Sequence, residues 1–291
     1  MFTIKQDDYS KLILPPSAAA CPSDNDGVHL DSEPHIQACI IKAAAAVCGV
    51  DTLTSDQEAK VRTTFGVADN EMSMKLFDVL RNDPNLGTAP IFSQLSRETF
   101  VDFFVEARAG VWREWTSGGL IAPKPFAPEY LNEFRSSSRL FGLVTGMPFA
   151  MVKESVSHVL KADDILPLTR ERRVCCDDPR LEGRGKPDPR GYQLGIQHFV
   201  EQFDIDPRDM WMVEDRANGA VAALRARYEG HVEKYRGHYI GTVVIIPDAN
   251  DVNPIESWDK RNLMGQHLQE FPQDRSRLVF LHSFEDLTFV R

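Results

Sequence analysis

Cysteine is scarce in this 291-residue chain, and its five cysteines (Cys21, Cys39, Cys48, Cys175 and Cys176) show neither a CxxC pair nor a Cys/His spacing. An odd number without such spacing excludes a disulfide framework and a zinc site, and fits a reducing cytosol. The adjacent Cys175 and Cys176 read as two small apolar residues of a buried strand, not as a redox pair. Also missing is any apolar run near the ~18 residues a membrane-crossing helix needs. The opening MFTIKQDDYSKLILPP lacks the basic start and apolar stretch of a signal peptide, so a cytoplasmic protein with no membrane partner is expected. Positive charge is in deficit. Lysine and arginine total 33 against 43 acidic residues, a net charge of −10, which argues against nucleic acid as a partner. No internal repeat or low-complexity tract stands out.

What is present is ordinary globular composition, 42% hydrophobic and 26% charged, in a length sufficient for one large domain or two modest ones. SAAACPSD (residues 17–24) reads as a short buried strand ending in aspartates. The next hundred residues change character. PHIQACIIKAAAAVCGV, SDQEAKVRTTFG with Ser55 as N-cap, NEMSMKLFDVLRN and SRETFVDFFVEARAGVWREW all carry helical spacing or composition. GGLIAPKPFAP (118–128) is a Gly/Pro connector.

Beyond it, helices alternate with the strands LFGLVT, RRVCC, MWMVED, GTVVIIPD and RLVFLH, and a long helix is expected after MWMVED. Such alternation predicts an α/β fold, a Rossmann-like doubly wound parallel sheet. The expected boundaries are 1–32 and 126–291 for this core, with residues 33–125 as an inserted helical domain. Ligands of such sheets sit beyond the C-terminal strand ends.

Those ends carry chemistry. The first strand ends in Asp24 and Asp26, which share a side of the chain and repel each other unless a cation or shared proton intervenes. LFGLVT ends in Thr145-Gly146, the loop after RRVCC carries Lys186, and MWMVED ends in Glu214-Asp215. Carboxylates without a histidine cluster suit a hard cation such as Mg²⁺. One carboxylate can attack phosphorus and a second can manage the proton, while Thr145, the Gly146 N–H and Lys186 hold the phosphoryl oxygens. The set predicts phosphoryl transfer.

The motifs also resemble a known family. DNDGVHLDSEP is similar to the DxDGVLxDSEP motif of the haloacid dehalogenase (HAD) superfamily, in its β-phosphoglucomutase and phosphoglycolate-phosphatase-like branch. LVTG, GRGKPDPRGYQLG and VEDRANGAVAA resemble the branch's later motifs, so the likeness runs from Asp24 to about Leu224. It implies a HAD fold with a helical cap over 33–125. It further implies Asp24 as nucleophile and metal ligand, Asp26 as general acid/base with its carbonyl on the metal, and Thr145 and Lys186 on the phosphoryl group. Asp215 and Glu214 would be metal ligands. A carboxylate at Asp26 disfavours a dehalogenase.

The activity so implied is a Mg²⁺-dependent phosphatase acting on a small phosphorylated metabolite, as monomer or homodimer. An intramolecular sugar phosphomutase and a non-catalytic HAD-like binding module are the alternatives. Three positions depart from the pattern: Arg216 replaces a usual serine and is expected to face solvent, His35 comes one place early, and His29 replaces an apolar residue at the strand edge. TTFGVADNE lacks the cation some sugar-phosphate members use. Arg62, Lys75, Arg108 and Arg113 are candidate substrate contacts that read as solvated helix faces, as does Lys60, and Trp112 and Trp115 read as core. The charged segment 225–240 has no assigned role.

Overall fold

The computed structural model describes residues 9–65, 69–166, 171–247, 259 and 262–290. Its strands are β1 (Leu12–Leu14), β2 (Ala20–Ser23), β3 (Leu140–Val144), β4 (Arg173–Val174), β5 (Trp211–Glu214), β6 (Thr242–Ile245), β7 (Leu278–Phe280) and β8 (Leu287–Phe289). The helices before β3 are α1 (Glu33–Cys48), α2 (Ser55–Arg62), α3 (Asp69–Arg81), α4 (Arg97–Ser117) and α5 (Ala127–Arg135). After it come α6 (Phe149–Glu154), α7 (Arg190–Phe203), α8 (Ala217–Arg225) and α9 (Leu263–Glu270).

Two parallel sheets, β2-β3-β4 and β5-β6-β7, meet edge to edge. Ala20 bridges Met210, and the Asp24 N–H donates to the Val213 carbonyl at 3.0 Å. The continuous order is therefore β4-β3-β2-β5-β6-β7, a doubly wound sheet whose order reverses between β2 and β5. Alternation along each strand sorts side chains between two cores. Trp211, Val213 and Val244 enter one with Tyr130, Phe134, Met151 and Trp112, whereas Met212, Val243 and Ile245 enter the other with α7 and α8. Both faces of the sheet are covered, as the unbroken apolar strands require.

A third cluster holds α1 to α4 together through Ala44, Val61, Leu76, Leu80, Phe92, Phe100 and Phe104. α4 spans two clusters. Its buried stripe recurs every fourth residue, Phe100, Phe104, Arg108, Trp112 and Thr116, as one face of a helix must. Phe100 and Phe104 pack with the helices, and Trp112 packs under the sheet. The lower half is joined to the core by Trp112 Nε1, which donates to Ser155 Oγ at 2.9 Å, and by Arg113 Nε, 2.9 Å from Glu154 Oε1.

Several local readings need correction. The N-cap of α2 is Thr54, not Ser55, because Gln57 three residues on completes a reciprocal capping box with it. Gly66, taken as the end of that segment, lies outside the described residues. β4 ends at Val174, so Cys175 alone of the vicinal pair is fully in the core, and Cys176 is half-buried beyond the strand. The helix after β5 stops at Arg225. Tyr228 is buried and the chain folds back, Arg227 bridging Tyr239 and the Tyr228 N–H donating to the His238 carbonyl, so 225–240 is a closed loop and not a long helix. β1, which pairs in parallel with β8, was not foreseen.

Candidate active site

The reversal point between β2 and β5 brings Asp24 and Glu214-Asp215 to adjacent strand ends. Oxygens of these three buried carboxylates lie within 4.8 Å of one another. Lys186, from the loop before α7, lies between them: its Nζ is 2.8 Å from Asp24 Oδ1 and 2.5 Å from Glu214 Oε1. Burial opposes the charge on Lys186, but Asp24 and Glu214 outweigh it and hold its pKa above the ordinary lysine value. Glu214, 1% exposed, is raised to about 7, first by burial and against the pull of Lys186. Asp215 is equally buried and has Arg216 Nε 3.4 Å from its Oδ2.

Asp26 is held differently. After β2 the chain turns at Gly27, whose φ of +67° lies where a side chain is strained. Ser32, the residue before α1, makes no side-chain cap; its hydroxyl donates to Asp26 Oδ1 at 3.0 Å and accepts from the Gly27 N–H at 3.4 Å. The side chain of Asp26 stands outside the carboxylate trio but lines the same cavity.

That cavity, of about 290 Å³, has a floor of strand ends: Asp24, Asp26, Gly146, Lys186, Glu214 and Asp215. Its helical wall includes Ile36, Ile40, Phe65, Met72 and Arg108. Thr145 is 4% exposed and is not among the lining residues; its Oγ1 accepts from the Met147 N–H at 3.2 Å. Arg216 also differs from expectation. It lines the cavity instead of facing solvent, because extended backbone at the start of α8 turns it towards Asp215.

Of the other candidate cations, Lys60 pairs with Asp83, Arg62 with Gln37 and Glu58, Lys75 with Glu71, and Arg113 with Glu154. None of these lines the cavity, whereas Arg108 does. Trp112 is core, and Trp115 meets His35 edge-on. His29 is fully buried among Tyr130, Phe141 and Phe284, its Nε2 3.0 Å from Ser23 Oγ, and that hydroxyl donates to the Val213 carbonyl at 3.3 Å. Burial, then the charge of Lys124, pushes its pKa down to about 3.

Two supporting residues escaped the sequence reading. Tyr192 is buried and donates its hydroxyl to Glu214 Oε1. Gly219 in the first turn of α8 leaves room for the Glu214 carboxylate: a Cβ there would lie 1.9 Å from Glu214 Oε1, and one of the two would have to move. Both fall in motifs quoted above, Tyr192 in GRGKPDPRGYQLG and Gly219 in VEDRANGAVAA, but neither was given a role there.

A family model for haloacid dehalogenase-like hydrolases matches residues 19–227, which hold every floor residue. The chain belongs to the haloacid dehalogenase-like hydrolases. This hydrolase shares its fold with solved structures at low identity. A HAD hydrolase, family IA, variant 3, from Entamoeba histolytica superposes with a TM-score of 0.58 at 15% identity, covering 93% of this chain and 95% of that one. A protein assigned as a β-phosphoglucomutase from Thermotoga maritima gives 0.53 at 22% identity, over 92% and 95% of the two chains. CbbY from Rhodobacter sphaeroides, solved with phosphate, gives 0.53 at 19%, over 79% and 86%. No curated protein matches the chain. Among the described residues of this hydrolase, no helix is long and apolar enough to cross a membrane.

Proposed function

We propose that this hydrolase is a cytoplasmic Mg²⁺-dependent phosphatase that cleaves a small phosphomonoester through an aspartyl-phosphate on Asp24. The observation that carries this reading is the placement of Asp24 beside Lys186, with Asp26 on the same cavity. An Asp24 oxygen attacks phosphorus and the ester P–O bond breaks; Asp26 gives its proton to the departing alkoxide. Asp26 then takes a proton from water as that water attacks the aspartyl-phosphate, which releases inorganic phosphate and restores Asp24. Ser32 keeps Asp26 aimed, and Lys186 with the Gly146 N–H receives charge on the phosphoryl oxygens. The cavity volume suits a small metabolite, at the low end of ligand sites.

The trio Asp24, Glu214 and Asp215 fits a hard divalent cation, being buried, all-oxygen and mutually repulsive without one. When bound, Mg²⁺ supplies charge neutralisation that lets an anionic phosphate approach an anionic nucleophile.

The test is phosphate release from a panel of small phosphate esters, with Mg²⁺ and with chelator, comparing wild type with Asp24→Asn and Asp26→Asn. Metal-dependent release is expected, with kcat lowered about 10⁴-fold or more in Asp24→Asn. Undiminished release in a folded Asp24→Asn protein sinks the covalent route. Absent release with conversion between positional isomers of a sugar monophosphate would make the enzyme a mutase.

A further inference from the structure

We infer that His29 is a positioning residue for the reaction, holding β2 against β5 through Ser23 so that Asp24 keeps its spacing from Glu214 and Asp215. This rests on the phosphatase reading above, in which those three carboxylates hold the cation, and adds to it a residue from below the site. Alternate amides along a strand face the same neighbour. The Asp24 N–H faces β5, donating to the Val213 carbonyl, so the amide two residues earlier would face β5 as well. That residue is Pro22, which has no N–H to give. The sheet is therefore short of one donor just below its reversal point, where Asp24 and Glu214 have to be held in register.

A side chain adds a tie there. The Ser23 hydroxyl donates to the Val213 carbonyl at 3.3 Å, which thus accepts from two consecutive residues of β2, a carbonyl oxygen having two lone pairs to offer. A hydroxyl has one proton. With that proton on Val213, Ser23 Oγ is the acceptor towards His29 Nε2 at 3.0 Å, so the imidazole carries its own proton on Nε2. Among the described residues His29 Nδ1 has no hydrogen-bond partner, and the rings of Tyr130 and Phe284 lie nearly parallel to the imidazole, at 16° and 12°. The neutral ring is thereby held as one tautomer in one plane. Its backbone is fixed too. The His29 carbonyl accepts from the Lys124 N–H at 2.9 Å and Leu30 bridges Pro123, which pairs the segment leading into α1 with the one leading out of α4. A leucine at 29 would fill the space and leave no nitrogen unmatched, but it would also release the Ser23 hydroxyl to turn away from Val213.

The experiment titrates Mg²⁺ alone, by calorimetry at pH 7, into wild type, His29→Leu, His29→Gln, Ser23→Ala and the double variant of His29→Leu with Ser23→Ala. Misfolded protein lowers the stoichiometry in such a titration and leaves Kd unchanged, and Ser23→Ala decides if His29→Leu does not fold. His29→Leu and Ser23→Ala are each expected to weaken Mg²⁺ binding about tenfold, and to lower kcat on a cleaved ester by a similar factor with KM little changed. Because both act through one hydroxyl, the double variant should bind no more weakly than the weaker single variant. His29→Gln, whose amide can donate to Ser23, should recover most of the loss. A Kd for His29→Leu within twofold of wild type, losses that add in the double variant, or a His29→Gln no better than His29→Leu overturns the inference and leaves His29 a packing residue. The titration needs no turnover, so a protein that binds Mg²⁺ and cleaves no ester sinks the phosphatase reading alone. If wild type binds no Mg²⁺, hydrogen exchange of the Asp24 amide decides. Faster exchange in His29→Leu and Ser23→Ala than in wild type upholds the tie between β2 and β5, and equal exchange overturns it.

Discussion

The floor and the helical wall of the cavity differ in what holds their side chains. On the floor each acidic group has a dedicated neighbour: Lys186 for Asp24, Lys186, Tyr192 and Gly219 for Glu214, Arg216 for Asp215, and Ser32 for Asp26. The wall is held by packing, Ile40 and Met72 being part of the helical cluster. The difference separates two demands. In the reaction proposed above, bond-making tolerates little displacement, which the directed polar contacts of the floor would limit. Recognition of a carbon skeleton needs shape and volume, which packing supplies with more latitude.

Perturbing each side sharpens or breaks this contrast. Beyond the substitutions of Asp24 and Asp26, the largest effect is expected from Gly219→Ala, whose methyl overlaps the Glu214 carboxylate. Displacing Glu214 should lower kcat about 10²-fold and weaken Mg²⁺ activation, read by metal titration of activity. A variant within threefold of wild type would show that the floor is as forgiving as the wall. Ile40→Ala, on the wall, should raise KM about tenfold and change kcat less. A fall in kcat matching that of Gly219→Ala would erase the distinction.

Beneath the floor, His29 makes stability depend on pH. Its ordinary value is 6.5 and its folded value about 3, so between these the unfolded chain binds the extra proton. Stability contributed by the neutral buried ring is therefore present above pH 6.5 and is lost as pH falls, by about 1.4 kcal/mol per pH unit. Urea melts from pH 7 to pH 4 should show a shallower slope for His29→Leu, and parallel slopes would refute the assignment. The smallest effect belongs to Arg113→Ala. Its side chain is 63% exposed, and removing its pair with Glu154 should cost less than about 1 kcal/mol in the same melts.

The floor was more legible in the sequence than the wall, for a physical reason. Asp24, Asp26, Glu214 and Asp215 fall at or just beyond strand ends and Lys186 on the loop between β4 and α7, and strand order in a doubly wound sheet brings these ends together. Arg108, read as a solvated helix face, is 4% exposed: it falls in the every-fourth-residue stripe of Phe100, Phe104, Trp112 and Thr116, where its charge argued for the surface and its spacing for the core. Arg216 was misread because its partner is the adjacent aspartate, a contact decided by backbone direction and not by spacing. Among the elements, α1, α4 and α7 followed from composition and caps. α8 proved shorter because Tyr228 finds a buried place that a continuing helix would deny it. β1 is three residues before a Pro-Pro step and acquires meaning only from β8.

That last pairing bears on how the protein is made. Leu12 lies beside Leu287 and Leu14 beside Phe289, so β1, which precedes the other described strands, waits for residues 287–289 before it has a strand partner. During synthesis the β1 segment LIL is an unsatisfied edge, short enough to limit wrong pairing. A chain that stops before residue 287 keeps the sheet of six strands with its complete set of partners but leaves β1 without its strand partner, tethered only where Tyr9 and Ser10 meet Phe280.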